Sequence, residues 1–117
     1  MRTAQELFDT IVTHLRTQGR LCITLAGCAY RGDEGSMCAI GCLIPNEAYS
    51  SDMEGKSIIG LLCSDLLPES LKNELKAHDR LLTSMQDIHD RCTVSSWEDE
   101  FKRVAHEYDL LYSEKNK

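Results

Sequence analysis

The chain contains no complete catalytic motif, no clean metal-binding motif, no internal repeat and no low-complexity stretch. It has no apolar run near the roughly 20 residues that cross a bilayer, so no membrane-spanning segment is expected. Residues 1–20 are polar and amphipathic and lack the continuous apolar stretch of a signal peptide, so a cytoplasmic protein is expected. Positive charge is scarce. Lys and Arg number 13 against 19 Asp and Glu, a formal charge of −6, which argues against extended nucleic acid held by a broad basic surface. A small anionic ligand held by one or two placed residues stays open. At 117 residues the chain reads as one domain, 1–117, long enough to bury a core without staples.

Six cysteines stand at positions 22, 28, 38, 42, 63 and 92. In a reducing compartment they are expected as free thiols. Cys63 and Cys92 fall on apolar faces of predicted helices and read as small buried hydrophobes.

Helical patterning dominates. Thr3 with Glu6 forms a capping box, Leu7, Phe8, Ile11, Val12 and Leu15 make one stripe, and Gly19 stops the helix. Ser51 or Asp52 can cap a helix running through Met53, Ile58, Ile59, Leu61 and Leu62. Pro68 precedes a short helix from Glu69 to Ala77. Asp79 to Cys92 is amphipathic, with Leu81, Leu82, Met85, Ile88 and Cys92 on one face. Ser95 with Glu98, or Ser96 with Asp99, caps a last helix whose stripe is Trp97, Phe101, Val104, Ala105, Tyr108 and Leu111. Glu98 with Lys102 and Asp99 with Arg103 have the i,i+4 spacing of exposed ion pairs. The tail 113–117 is expected to fray.

The stretch from Gly27 to Ser57 differs. It holds three cysteines, five glycines, two tyrosines and one arginine in about a quarter of the chain. Ala29–Arg31 and Met37–Ile40, joined by Gly32-Asp33-Glu34-Gly35, read as a β-hairpin. The expected fold is therefore α+β, mainly α: four to five helices with one small β-hairpin inserted after the first.

This block runs Cys28-Ala29-Tyr30-Arg31-Gly32, then Cys38-Ala39-Ile40-Gly41-Cys42-Leu43-Ile44-Pro45, Tyr49, and Met53-Glu54-Gly55-Lys56-Ser57. It resembles a widespread family of small bacterial, phage and prophage proteins marked by C-x-Y-R-G, C-A-[IV]-G-C-L-I-P and M-E-G-x-S. The flanking helices fit the same layout, so the resemblance covers most of the chain. It brings no established activity. It implies an accessory protein of phage or prophage type, of a kind that binds more often than it catalyses.

Four chemistries are open to the block. Cys28, Cys38 and Cys42 could supply three thiolates to zinc, although the C-x2-C knuckle is absent. A cysteine could act as nucleophile if the fold brought it His14, His78, His89 or His106; His89 reads as a surface or boundary residue. Arg31 could clamp a phosphate or carboxylate, with Tyr30 and Tyr49 stacking on a base, Gly32 and Gly41 shaping the turns, and Glu54 and Lys56 alongside. Alternatively, Arg31 pairs with Asp33, Glu47 or Glu54 and only holds the hairpin to the next helix. Glu47 and Glu54 as paired carboxylates are the fourth.

The expectation is a non-enzymatic binding protein that sequesters a nucleotide-like anionic signal, an anti-defence role, through Tyr30, Arg31, Gly32, Gly41, Tyr49, Glu54 and Lys56. No cofactor is expected, and a homo-oligomer is plausible. The alternatives are an inhibitor or adaptor docking on a host protein, and a cysteine- or metal-dependent enzyme. If the block is purely structural, the helical face of Asp79 to Cys92 or of Trp97 to Tyr112 is the interaction surface.

Overall fold

The computed structural model describes residues 1–24 and 27–114, except the side chains of residues 23, 24, 27, 28 and 33. Five α-helices build it: α1 (Ala4–Gln18), α2 (Ile58–Leu62), α3 (Glu69–Lys76), α4 (Asp79–Arg91) and α5 (Trp97–Glu107).

The capping box at α1 forms. The Glu6 amide donates to Thr3 Oγ1 at 3.1 Å and the Thr3 amide donates to Glu6 Oε1 at 2.9 Å. Gly19 closes the helix by donating its amide to the Leu15 carbonyl at 2.8 Å. The stripe Leu7, Phe8, Ile11, Val12 and Leu15 is buried. Helix α4 is the hub, packing on α1, α2, α3 and α5. It buries Leu81, Leu82, Met85, Ile88 and His89. Helix α5 adds Trp97, Phe101, Val104 and Ala105. Each large apolar side chain so buried contributes about 1.5–3 kcal/mol of transfer free energy.

The α+β expectation is corrected to a mainly helical fold. The expected hairpin does not form: between its arms only an isolated Arg31–Met37 bridge exists. The one other extended pairing among the described residues joins two-residue segments, Ile23 with Cys28 and Thr24 with Gly27. The reason lies in burial. Cys38, Ala39 and Ile40 are all wholly buried in succession, whereas a strand with one solvent face alternates. The chain buries consecutive residues by curling into a 3-10 turn, Gly41–Leu43, packed on α1.

The helix expected from Ser51 also divides. Ser50 caps a 3-10 turn at Ser51–Met53, Gly55 takes a left-handed φ of 80°, and Ser57 then caps α2 by accepting from the Gly60 amide at 3.1 Å. The last helix has no side-chain cap and is led in by a 3-10 turn at Val94–Ser96. Cys63 is exposed and Cys92 half-buried, so neither is the fully buried thiol expected. The helix of Cys63 ends one residue before it, which turns that position outward.

The expected i,i+4 pairs on α5 give way to other partners. Arg16 of α1 takes Glu98 with two bonds, at 2.9 and 2.6 Å, and Arg103 takes Glu100 and Glu107. The segment after α5 is strapped across α1. Gln5 and Leu111 exchange bonds at 3.0 and 2.8 Å, Tyr112 donates to Glu98 at 2.7 Å, and the Ser113 carbonyl accepts from Arg16 at 2.7 Å. The expected frayed tail therefore has its first residue tied; residues 115–117 lie outside those described.

Candidate functional site

The residues singled out from the block do converge, but chiefly on one another. Glu54 is the centre. Its Oε1 accepts the Tyr30 amide at 2.9 Å, and its Oε2 accepts the Arg31 amide at 3.1 Å and the Tyr49 hydroxyl at 2.5 Å. A carboxylate that satisfies two main-chain donors and a phenol is a structural keystone, because those donors would otherwise be stranded. Tyr30 is buried, and its hydroxyl donates to the Lys56 carbonyl at 2.7 Å. Burial pushes that phenol far up, and burial followed by the Glu54 bond pushes Tyr49 up to about 12.

Arg31 is likewise engaged inward. Its guanidinium donates to Asn46 Oδ1 at 2.6 Å and to the Ile44 carbonyl, and lies 5.0 Å from the centroid of the Tyr49 ring. The expected Arg31–carboxylate pairing takes a different form: Glu54 reaches the Arg31 main chain, while the guanidinium holds carbonyls and an amide. Gly32 donates its amide to the Ser36 carbonyl at 3.0 Å. Gly41 is required by contact: a Cβ there would stand 2.0 Å from the Tyr30 carbonyl oxygen.

Cys38 and Cys42 are not poised for nucleophilic attack. Cys38 is wholly buried, its Sγ accepts the Gly41 amide at 3.1 Å, and burial pushes the thiol up to about 12. Burial likewise pushes Cys42 up to about 12, and its Sγ donates to the Ala39 carbonyl at 3.1 Å. Among the described residues no three or more His, Cys, Asp or Glu side chains gather to hold a metal. The Cys28 side chain lies outside the described residues. Glu47 is exposed and has no role in the Glu54 cluster, so the two are not a carboxylate pair.

What remains open is a cleft of about 410 Å³ between the end of the block and α4. Residues Glu54 to Ile59 form one wall with Tyr30 behind them. Thr83, Gln86, Asp87, Asp90 and Arg91 form the other. This volume is within the range of small-ligand sites, roughly 300–1,000 Å³. Of the expected residues it uses Tyr30, Glu54 and Lys56; Arg31, Gly32, Gly41 and Tyr49 do not line it.

The α4 wall lies on the helix from Asp79, whose face the sequence offers as an interaction surface without singling out any residue. Its organiser is His89, wholly buried rather than on the surface. The Cys22 amide donates to His89 Nε2 at 2.8 Å, so the ring proton sits on Nδ1 and is donated to Asp90 Oδ1 at 2.7 Å. The ring also stacks on Trp97, with centroids 6.1 Å apart. Gln86 donates to the same Asp90 oxygen at 2.8 Å and accepts the Ile40 amide at 3.1 Å. Two donors thus fix the Asp90 carboxylate at the cleft. The signal available in the sequence was weak: His89 is next to Ile88 on the α4 stripe, and histidine suits either a face or a boundary.

Among the described residues no helix is long and apolar enough to cross a membrane. Compared with family models, curated proteins and solved structures, the chain matches none.

Proposed function

We propose that this chain is a small non-enzymatic binding protein of the phage or prophage accessory type, acting in the cytoplasm by docking on a host protein through the cleft between residues 54–59 and α4. The observation that carries this reading is the division of the block. Arg31, Tyr49 and Gly41 are spent on internal contacts, and the block's open edge is the cleft wall. An arginine already bonded to Asn46 and to carbonyls is a poor clamp for a phosphate. The high thiol pKa values of Cys38 and Cys42 weigh against cysteine catalysis.

A second reading, sequestration of a nucleotide-like anionic signal, keeps support from the cleft's small-ligand volume and from the exposed Lys56 and Arg91 on its rim.

Native mass spectrometry of the protein purified from bacterial cells separates the two. Apo-protein favours docking on a protein partner. A co-purified mass of nucleotide size favours sequestration and moves the ligand to the Lys56–Arg91 rim. Thr83→Arg, which fills the cleft from an α4 position that is not buried, should abolish either function with the fold retained; unchanged biological effect would sink the cleft as the site.

A further inference from the structure

We infer that the cleft takes an extended basic segment of a partner protein, with an arginine or lysine side chain seated against Asp87 and Asp90. The inference rests on the cleft being the binding site and names what fills it.

Charge complementarity carries the argument. Three carboxylates line the cleft against two cations. Glu54 has both oxygens bonded inward and offers little to a ligand. Asp90 differs: His89 and Gln86 both donate to Oδ1, which leaves Oδ2 for an incoming donor, and the side chain keeps 33% of its exposure. Asp87 is 54% exposed, and its ion pair with Arg91 is long, at 3.8 Å. Residues 87 and 90 are one helical turn apart and share a face. A guanidinium can engage two such acceptors at once.

The opposite wall suits the rest of a peptide. Ile59 is 62% exposed and can cover the aliphatic stem of a long cation. Lys56 beside it can take a main-chain carbonyl or an acidic neighbour. An anion entering the same space meets Asp87 and Asp90 as well as Lys56 and Arg91, and Glu54 with the chain's charge of −6 tips the balance against it.

The test is an amide-shift titration of 15N-labelled protein at low salt with two probes. One is an acetylated and amidated pentapeptide, Gly-Arg-Leu-Arg-Gly; the other is inorganic phosphate. The expected result is saturable shifts from the peptide confined to residues 54–59 and 83–91, weakened by added salt. Asp87→Asn, at an exposed position that leaves the fold intact, should weaken peptide binding about tenfold or more. Shifts of the same amides by phosphate but not by the peptide would overturn the basic-segment inference and leave the cleft standing as an anion site. No shift from either probe would overturn both. Peptide shifts that Asp87→Asn leaves unchanged would also overturn it, because the acidic wall would then not be the recognition element.

Discussion

Two regions of the block face opposite tasks. From Tyr30 to Tyr49 the groups best suited to hold a ligand are turned inward: Arg31 onto Asn46 and carbonyls, Tyr49 onto Glu54, and Gly41 against the Tyr30 carbonyl. From Glu54 to Ile59 the chain turns outward and becomes the wall of an open cleft. The difference teaches that residue types suited to ligand binding are equally suited to holding an irregular loop together. A segment with little regular structure must pair its main-chain groups through side chains. Glu54 joins the regions, because its carboxylate pairs the locked loop from the first residue of the cleft wall.

The contrast is broken most severely at Gly41. Gly41→Ala places a methyl 2.0 Å from the Tyr30 carbonyl oxygen; a loss of about 3 kcal/mol or more is expected in urea unfolding. A shift under about 1 kcal/mol would show that the loop yields and is not locked. Next comes Glu54→Ala, which strands the Tyr30 and Arg31 amides and the Tyr49 hydroxyl. A cost of about 2–4 kcal/mol is expected, with Glu54→Gln milder.

The cleft's inner support is tested by His89→Leu, which removes the acceptor of the Cys22 amide and one of the two donors on Asp90. About 1–3 kcal/mol should be lost. In the parent protein, 15N shifts of the imidazole should report the Nδ1–H tautomer; the Nε2–H form would contradict the relay.

A pH profile supplies a reference remote from both regions. Glu74 is held down at about 2 by its bond to the Arg2 side chain, a bond at 2.9 Å. A folded pKa below the unfolded one gives stability that is present above about 4.5 and is lost as pH falls toward about 2. Because Arg2 is one-third exposed, the loss should be on the order of 1–2 kcal/mol. Glu74→Gln should flatten that part of the curve; an unchanged acid limb in chemical denaturation would show that the ion pair contributes nothing. The smallest stability effect belongs to the open wall. Ile59→Lys alters an exposed side chain, so unfolding should move by no more than about 0.5 kcal/mol while binding of a basic segment in the cleft is weakened. A large loss of stability would mean that this wall is part of the core.

The sequence singled out residues on one wall of the cleft and none on the other. Of the residues singled out there, Tyr30, Glu54 and Lys56 line the cleft, and a dense block of Gly, Tyr and charge marks an irregular segment. On α4 only the helix face as a whole was offered as a surface, because Gln86, Asp87 and Asp90 look like any solvated helix face. Only the fold sets them opposite residues 54–59.

By itself the sequence determined α1, α4 and the apolar face of α5. The Thr3–Glu6 box, the Gly19 stop and the apolar stripes of α1, α4 and α5 are local patterns, and short-range hydrogen bonds with one buried face suffice to realise them. Tertiary structure decided everything that depends on a distant partner: whether Arg31 faces a ligand or Asn46, whether Glu98 finds Lys102 or Arg16, whether His89 lies outside or beneath Cys22, and whether residues 38–44 extend or curl. The physical reason is that each of these groups has several acceptable partners of similar strength nearby in sequence. The packing of consecutive buried residues against α1 and α4, a non-local term, selects among them.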